Sequence, residues 1–243
     1  MRGKVCRFII VVQAAVISAY AGLLFQDTFD RTALDGADGQ SGSIGNITYA
    51  AVNNAANTSP AAGIVSNRLV LSVGGGNGAQ RLIPNHNFAV SDIVSAGGFE
   101  ISYTVRSGID FTGDILGSYS SKLYLGQKSI IENADASHAN AYFPLAVVIS
   151  GNGQVSVYAQ SVPLVFNVPA KRFLRKGTNR IRLAVKTGGF SIRSKNAFSL
   201  YVNEELVHSG EFSWKAGHDF RFAVEAYAFS AEIDNLQLST VEK

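Results

Sequence analysis

Residues 98–106 read Gly-Phe-Glu-Ile-Ser-Tyr-Thr-Val-Arg, and their alternation decides the fold class. Phe99, Ile101, Tyr103 and Val105 fall on one side of an extended chain, and the polar residues between them fall on the other. A period of two with one apolar side is typical of a half-buried β-strand. This stretch therefore predicts a strand whose apolar side faces a core.

The same alternation recurs along the chain, and no long helical pattern interrupts it. In residues 179–186, Ile181 alternates with Arg180 and Arg182, and in residues 219–227 the apolar Phe222 alternates with Arg221. Further strand-like segments are residues 23–29, 47–52, 68–73, 79–83, 122–125, 142–150, 154–160, 198–202, 206–212 and 231–238. Many short strands at regular spacing predict an all-β fold, a two-sheet antiparallel β-sandwich or jelly roll.

Turn signals separate several of these strands. Residues 74–78 read Gly-Gly-Gly-Asn-Gly, which predicts a hairpin between the strands that flank them. Residues 150–153 read Ser-Gly-Asn-Gly and predict a tight turn, and residues 203–205 predict another. Since no linker or change of composition appears, residues 22–243 are expected to form one domain.

The first 21 residues have the pattern of a secretory signal. Arg2, Lys4 and Arg7 precede a largely apolar stretch, and residues 19–21 read Ala-Tyr-Ala, a small-residue cleavage site. The alternative is an uncleaved membrane anchor, because residues 22–25 extend the apolar run to nearly spanning length. We expect cleavage, a secreted, periplasmic or cell-surface protein, and no stable membrane insertion afterwards.

Cleavage changes the charge of the protein. Three of the 21 basic residues and none of the 18 acidic residues precede Gly22, so the mature chain carries 18 of each. A neutral chain lacks the clustered positive charge that nucleic acid requires, so we expect no nucleic-acid partner. Cys6 leaves with the signal, which excludes disulfides, cysteine nucleophiles and cysteine metal ligands from the mature protein.

Four segments, in their order along the chain, resemble the concanavalin A-like lectin and glucanase (LamG-like) domains. The opening Phe-Gln-Asp-Thr-Phe-Asp-Arg of residues 25–31 is similar to the F-x-D-x-F start of that family, and residues 67–73 are similar to its next strand. Residues 201–207 resemble its V-N-G-x-x-V hairpin, and residues 231–236, Ala-Glu-Ile-Asp-Asn-Leu, resemble its closing strand. The resemblance implies a concanavalin A-like sandwich.

The chain departs from this family at two points. Glu204 stands where the family usually has glycine, which leaves the geometry of that turn open. The chain also has no E-x-D-x-E or E-x-D-x-x-E stretch, which the glucanase relatives carry on one strand. Glycoside hydrolysis normally needs two carboxylates at a fixed separation, so we lean away from an enzyme.

The resemblance also implies a metal. An acidic residue in the closing strand of the family often binds structural Ca²⁺ together with groups near the first strand, which points to Asp234 and Asp27 here. Calcium takes about six to eight oxygen ligands, many from backbone carbonyls, so few acids need be visible in a sequence. The alternative is that Asp234 caps a turn or faces solvent.

Candidate ligand-binding residues lie on the polar sides of the predicted strands. Arg182, Arg221, Glu225 and Tyr227 are expected to line a groove if one sheet gathers them, and Trp214 is a candidate platform for a sugar ring. The alternatives are an ordinary solvated sheet face and a tryptophan that serves packing.

Three functions fit these observations. The first is a non-catalytic carbohydrate-binding or adhesion domain whose partner is a polysaccharide or glycan. The second is a structural protein of surface assemblies. A low content of charged residues and a net charge of zero suit a chain that associates with other chains. The third is a hydrolase or lyase acting on polysaccharide. The sequence shows no pair of catalytic acid and base residues at a recognisable spacing, which makes this the least supported of the three.

Overall fold

The computed structural model describes residues 22–34, 48–53, 61–73, 78–107, 120–126, 131, 145–159, 162–169, 173–189, 191, 193–213 and 219–241. Antiparallel β-strands dominate these residues and form two sheets, here named sheet A and sheet B. The predicted two-sheet antiparallel sandwich is therefore confirmed. Among the described residues, no helix is long and apolar enough to cross a membrane.

Sheet A has eight strands in the described part of the chain. Its order is β14 (Glu205–Phe212), β13 (Asn196–Val202), β12 (Thr178–Thr187), β7 (Gly98–Ser107), β16 (Ala231–Thr240), β4 (Leu69–Ser72) and β3 (Ala61–Ile64). The opening strand β1 (Gly22–Asp27) pairs with the second half of β16, so the first and last described strands are neighbours.

Sheet B also has eight strands among the described residues. Its order is β11 (Val162–Pro169), β10 (Gln154–Ala159), β9 (Leu145–Ser150), β8 (Ser120–Gly126), β15 (Asp219–Tyr227), β5 (Ala79–Pro84) and β2 (Tyr49–Asn53). The short strand β6 (Phe88–Ala89) pairs with the start of β15 and leads into the helix α1 (Val90–Ala96).

The core lies between the two sheets and contains the apolar side of each alternating strand. Phe99 and Ile101 of β7, Ile181 of β12 and Phe222 of β15 are each 1% exposed or less. Burying one such side chain contributes about 1.5–3 kcal/mol, so the period-two pattern explains why these segments form strands. The prediction that these four residues are buried is confirmed.

One predicted hairpin is wrong. The strands on either side of residues 74–78 were expected to pair with each other, but β4 lies in sheet A and β5 lies in sheet B. A glycine-rich sequence can connect two strands of one sheet or two strands of different sheets. Glycine allows many backbone conformations and so does not determine which strand pairs with which. The turn predicted at residues 150–153 is confirmed: β9 and β10 pair, and Gly153 has φ 75°.

The turn between β13 and β14 explains how a glutamate replaces the usual glycine. Asn203 and Glu204 have φ of 52° and 67°, as in a two-residue hairpin turn of the primed type. The Asn203 Nδ2 donates to the Phe173 carbonyl at 2.6 Å, and its Oδ1 accepts from the Arg180 N–H at 3.0 Å. Asn203 therefore fixes the turn, and Glu204 adopts the left-handed conformation beside it.

Candidate ligand-binding face of sheet B

The side of sheet B that faces away from sheet A carries a row of charged residues. Cross-strand register places Glu225 of β15 directly between Arg81 of β5 and Lys122 of β8. The alternation along each strand puts Tyr124, Arg221 and Tyr227 on this same side, opposite the core residues Phe222 and Val224. We call this side the outer face of sheet B.

Glu225 is the centre of a dense polar network. Its Oε2 accepts from Arg81 Nη2 at 2.7 Å and from Arg81 Nε at 2.9 Å. Its Oε1 accepts from Lys122 Nζ at 2.9 Å and from the Tyr124 hydroxyl at 3.1 Å. All four side chains are buried, which makes each of these contacts stronger than it would be in water.

Burial and charge act in opposite directions on this carboxylate. Burial alone would raise the pKa of Glu225, but the adjacent charges of Lys122 and Arg81 outweigh it and hold the pKa below its usual value. Burial, together with the charge of Glu225, raises the pKa of Tyr124 well above its usual value. Glu225 is thus ionised at neutral pH, and the Tyr124 hydroxyl stays protonated and donates a hydrogen bond to it.

An apolar cluster explains why this polar row is buried, although an outer sheet face is often solvated. Tyr124 belongs to a second hydrophobic cluster, separate from the main core, that lies on the same side of sheet B. The other buried members of this cluster are Ile83, Ile131, Ala146, Val148, Tyr158 and Ala223. The carbonyl of Ile131 also accepts a hydrogen bond from Arg81 Nη1 at 3.0 Å, so the chain at Ile131 packs directly against the row.

Each end of β15 lies beside groups that are more exposed than the Glu225 row. At one end, Tyr227 is half-buried and its ring lies 4.5 Å from the Lys122 Nζ. At the other end, Arg221 is buried and donates from Nε to Asn87 Oδ1 at 2.5 Å and from Nη2 to Asn85 Oδ1 at 3.3 Å. Asn85 and Asn87 are both exposed.

The structure brings three of the predicted ligand-binding residues together and separates a fourth. Arg221, Glu225 and Tyr227 share the outer face of sheet B. Arg182 lies on the outward side of sheet A, where its guanidinium is 2.9 Å from Glu100 and stacks 3.7 Å from the Tyr201 ring centroid. Arg182 therefore cannot line one groove with the other three, and Trp214 lies outside the described residues.

Asp27, a predicted calcium ligand, is fully engaged by protein donors. Its Oδ1 accepts from Arg31 Nη1 at 2.6 Å and from the Phe29 N–H at 2.7 Å, and its Oδ2 accepts from Arg31 Nη2 at 2.7 Å and the Tyr49 hydroxyl at 2.5 Å. A cation at this carboxylate would have to displace a buried guanidinium. The donor set around Asp27 thus does not fit a calcium site.

Asp234, the other predicted metal ligand, lies at a bulge in β16. The pairing of β16 with β7 shifts register between Asp234 and Gln237, and Asn235 has φ 50°. Burial raises the pKa of Asp234, and the charges of Asp30 and Asp27 raise it further. Among the described residues, no group of three or more His, Cys, Asp or Glu side chains could hold a metal ion. The calcium site at Asp234 stays a prediction.

Sequence reasoning missed five residues of this face: Asn85, Asn87, Arg81, Lys122 and Tyr124. The alternation of Arg81 with Leu82 does place Arg81 away from the core, and the same holds for Lys122 beside Leu123. Nothing in the sequence states that β5 and β8 flank β15, so their convergence on Glu225 could not be read from the pattern.

Comparison with solved structures identifies the fold. The Emp46p carbohydrate recognition domain in its potassium-bound form is similar with a TM-score of 0.52 and 15% identity, over 80% of this chain and 89% of that one. Lectin I-B4 from Griffonia simplicifolia in its metal-free form gives 0.52 and 11% identity, over 78% and 92%. A galectin-like protein of unknown function from Bacillus subtilis gives 0.58 and 7% identity, over 92% and 99%.

The comparisons of sequence give nothing further. No protein-family model matches this chain, and no curated protein matches it. At these low identities the structural likeness shows the fold alone. The chain has the concanavalin A-like lectin fold, as the resemblance of its sequence implied.

Proposed function

We propose that this concanavalin A-like sandwich is an exported, non-catalytic carbohydrate-binding or adhesion domain that binds glycan at the outer face of sheet B. The observation that carries the proposal is that the two ends of β15, on either side of the buried polar row, present a partly exposed aromatic ring and a pair of fixed polar groups. Tyr227 is half-buried and held beside Lys122, and Arg221 orients two exposed amides at the other end. Arg221 and Tyr227 are six strand positions apart, about 20 Å, so the two ends together suit a glycan chain of several sugar rings, which presents both apolar faces and hydrogen-bonding groups.

The state of Glu225 does not suit the general acid of a glycosidase. A glycosidase needs a protonated carboxyl as general acid and a second carboxylate about 5–10 Å away. Glu225 has a lowered pKa, and its two oxygens accept four hydrogen bonds from Arg81, Lys122 and Tyr124. The ionised Glu225 uses its charge and its lone pairs in contacts that stabilise the fold. It therefore has no proton to donate as a general acid.

Two matched tyrosines allow the binding face to be tested. Tyr227 lies beside Lys122 on sheet B, and Tyr201 lies beneath Arg182 on sheet A, so each is a half-buried ring next to a cation. The purified protein should be retained on a panel of immobilised polysaccharides. Tyr227→Ala should weaken that retention about tenfold, since one aromatic contact contributes roughly 1–1.5 kcal/mol. Tyr201→Ala should leave it unchanged.

Two results would contradict the proposal. If the wild-type protein binds no glycan across a broad panel, the carbohydrate-binding function is wrong. If Tyr201→Ala weakens retention as much as Tyr227→Ala, the binding face is not on sheet B. Thermal melting of both variants separates a loss of binding from a loss of folding.

Export is a second part of the proposal, and it rests on the signal-like residues 1–21, which lie outside the described residues. N-terminal sequencing of the protein released by an exporting host should give a chain that begins at Gly22. A product that still begins at Met1 would support the membrane anchor in its place.

A further inference from the structure

The connection between β5 and β6 presents two exposed asparagines on an anchored backbone. The Asn85 N–H donates to the Thr48 carbonyl at 2.7 Å, and the His86 N–H donates to the Pro84 carbonyl at 2.8 Å. The His86 ring packs at 4.8 Å from the Phe88 ring, between centroids. These contacts hold the loop in place, so Asn85 and Asn87 are displayed from a rigid support.

Arg221 determines which way both amides face. A guanidinium has only donors, so each asparagine must turn its oxygen toward Arg221, as the contacts to Oδ1 of Asn85 and Asn87 show. The two contacts use Nε and Nη2, which lie on one edge of the guanidinium, so the amides lie side by side. Their Nδ2 groups therefore point away from Arg221, and no described residue accepts a hydrogen bond from either.

We propose that Asn85 and Asn87 form a ligand site that takes an anionic oxygen group, a carboxylate or a sulfate, of an acidic glycan. This inference rests on the proposed carbohydrate-binding function and narrows it to one class of ligand. A pair of amide N–H donors satisfies an anionic group, which only accepts hydrogen bonds. A sugar hydroxyl also has a proton to donate, and the two Nδ2 groups offer nothing to receive it.

The surroundings favour the same ligand. Among the described side chains of the outer face of sheet B, Arg81, Lys122 and Arg221 are cationic and Glu225 is anionic. Arg221 lies directly behind the two amides, and its positive charge polarises them toward stronger donation. Arg221 is accordingly a positioning residue: it acts on the ligand through Asn85 and Asn87.

The double variant Asn85→Asp, Asn87→Asp tests the proposal without removing what Arg221 binds. Each aspartate still offers an oxygen to the guanidinium, so the loop keeps its anchor, but the outward donors become acceptors with negative charge. The control is Asn152→Asp in the β9–β10 turn, which makes the same type of substitution with one added negative charge in place of two and keeps the bond from the Gln154 N–H. Melting temperatures verify that all variants fold.

The probes are immobilised dextran, dextran sulfate and polygalacturonate, with affinity measured for each. We expect the wild-type protein to bind dextran sulfate, polygalacturonate or both, and to bind dextran at least about tenfold more weakly. The two charged probes distinguish sulfate from carboxylate as the preferred group. The double variant should lose about tenfold or more in affinity for the charged probe, and Asn152→Asp should lose little.

The outcomes separate this inference from the proposed function. Equal binding of dextran and dextran sulfate, or binding only to neutral glycans of a wider panel, would overturn the acidic ligand and leave carbohydrate binding intact. A folded double variant with wild-type affinity would overturn the role of Asn85 and Asn87 alone. Binding to no glycan would overturn both.

Discussion

The Asp27 carboxylate and the Arg31 guanidinium meet edge to edge, with oxygen to nitrogen distances of 2.6 and 2.7 Å. The Tyr49 hydroxyl donates to the same carboxylate at 2.5 Å. Asp27 ends β1 of sheet A and Tyr49 begins β2 of sheet B, so this buried group joins the two layers of the sandwich. The aspartate of the F-x-D-x-F segment thus has a structural role here.

Replacing Asp27 should therefore destabilise the whole sandwich. Asp27→Asn leaves the buried Arg31 without a counter-charge, which typically costs about 3–5 kcal/mol. Urea unfolding should show this loss. Asp30→Asn is the matched control, because Asp30 is exposed and its contact is to Thr28, so its effect should stay within about 0.5 kcal/mol. Equal losses from the two variants would contradict the buried pair.

Glu225 should be a second point of high sensitivity. Glu225→Gln leaves Arg81 and Lys122 buried next to a neutral amide and should cost about 3–5 kcal/mol in the free energy of unfolding. Glu100→Gln removes a carboxylate from a partly exposed pair with Arg182, for which about 0–1 kcal/mol is expected. A small effect at Glu225 would mean that the buried triad contributes little to folding.

The pH dependence of unfolding provides an independent check on Glu225. Its pKa is lowered in the folded protein, so its stabilising effect is complete above the unfolded value near 4.3 and is lost as the pH falls through the folded value. Between pH 5 and 7 the difference in stability between wild type and Glu225→Gln should stay constant. Below about pH 4 it should shrink, and an unchanged difference there would contradict the lowered pKa.

Alternation predicted the fold because it depends only on local geometry. A strand turns every second residue to the same side, so the patterns around Ile101, Ile181 and Phe222 identified both the strands and their buried faces. Pairing between distant strands has no such local signal. Nothing in the sequence showed that Glu225 lies between Arg81 and Lys122, or that β4 and β5 belong to different sheets.

Local alternation along a single strand also predicted part of the candidate site. Arg221, Glu225 and Tyr227 were correctly grouped, because they follow one another on one side of a single strand, β15. Arg182 lies on another strand with the same pattern, and only the assignment of β12 to sheet A separates it from them. The orientation of Asn85 and Asn87 required knowledge of their contact with Arg221, which is 134 residues away from Asn87.

Substitution of Asp234 tests both its raised pKa and the predicted calcium site. Its pKa is raised, so its ionised form is disfavoured in the folded protein and costs stability at neutral pH, and stability is regained as the pH falls. With a chelator present, Asp234→Asn should therefore raise the melting temperature at pH 7, and the increase should disappear near pH 3. A lower melting temperature for the variant at pH 7 would contradict this.

The same variant decides whether Asp234 binds Ca²⁺. If it does, millimolar calcium raises the melting temperature of the wild-type protein, and chelation reverses the increase, because binding to the folded state stabilises it. Asp234→Asn should then abolish the calcium response. No shift of the wild-type protein with calcium or chelator would remove the metal from Asp234.

The turn of Asn203 and Glu204 makes a prediction in which two neighbouring substitutions act in opposite directions. Glu204→Gly replaces a non-glycine residue at φ 67°, where an L side chain costs about 1 kcal/mol. Its ion pairs with Arg180 at 3.0 Å and with Arg182 at 3.5 Å involve a largely exposed carboxylate and contribute little. The melting temperature of Glu204→Gly should rise by about 2–4 °C.

Asn203→Gly relieves the same conformation but removes the hydrogen bonds to Phe173 and Arg180, so the melting temperature of this variant should fall. A rise for Asn203→Gly would show that the asparagine does not fix the turn, and a fall for Glu204→Gly would show that its left-handed conformation is not strained.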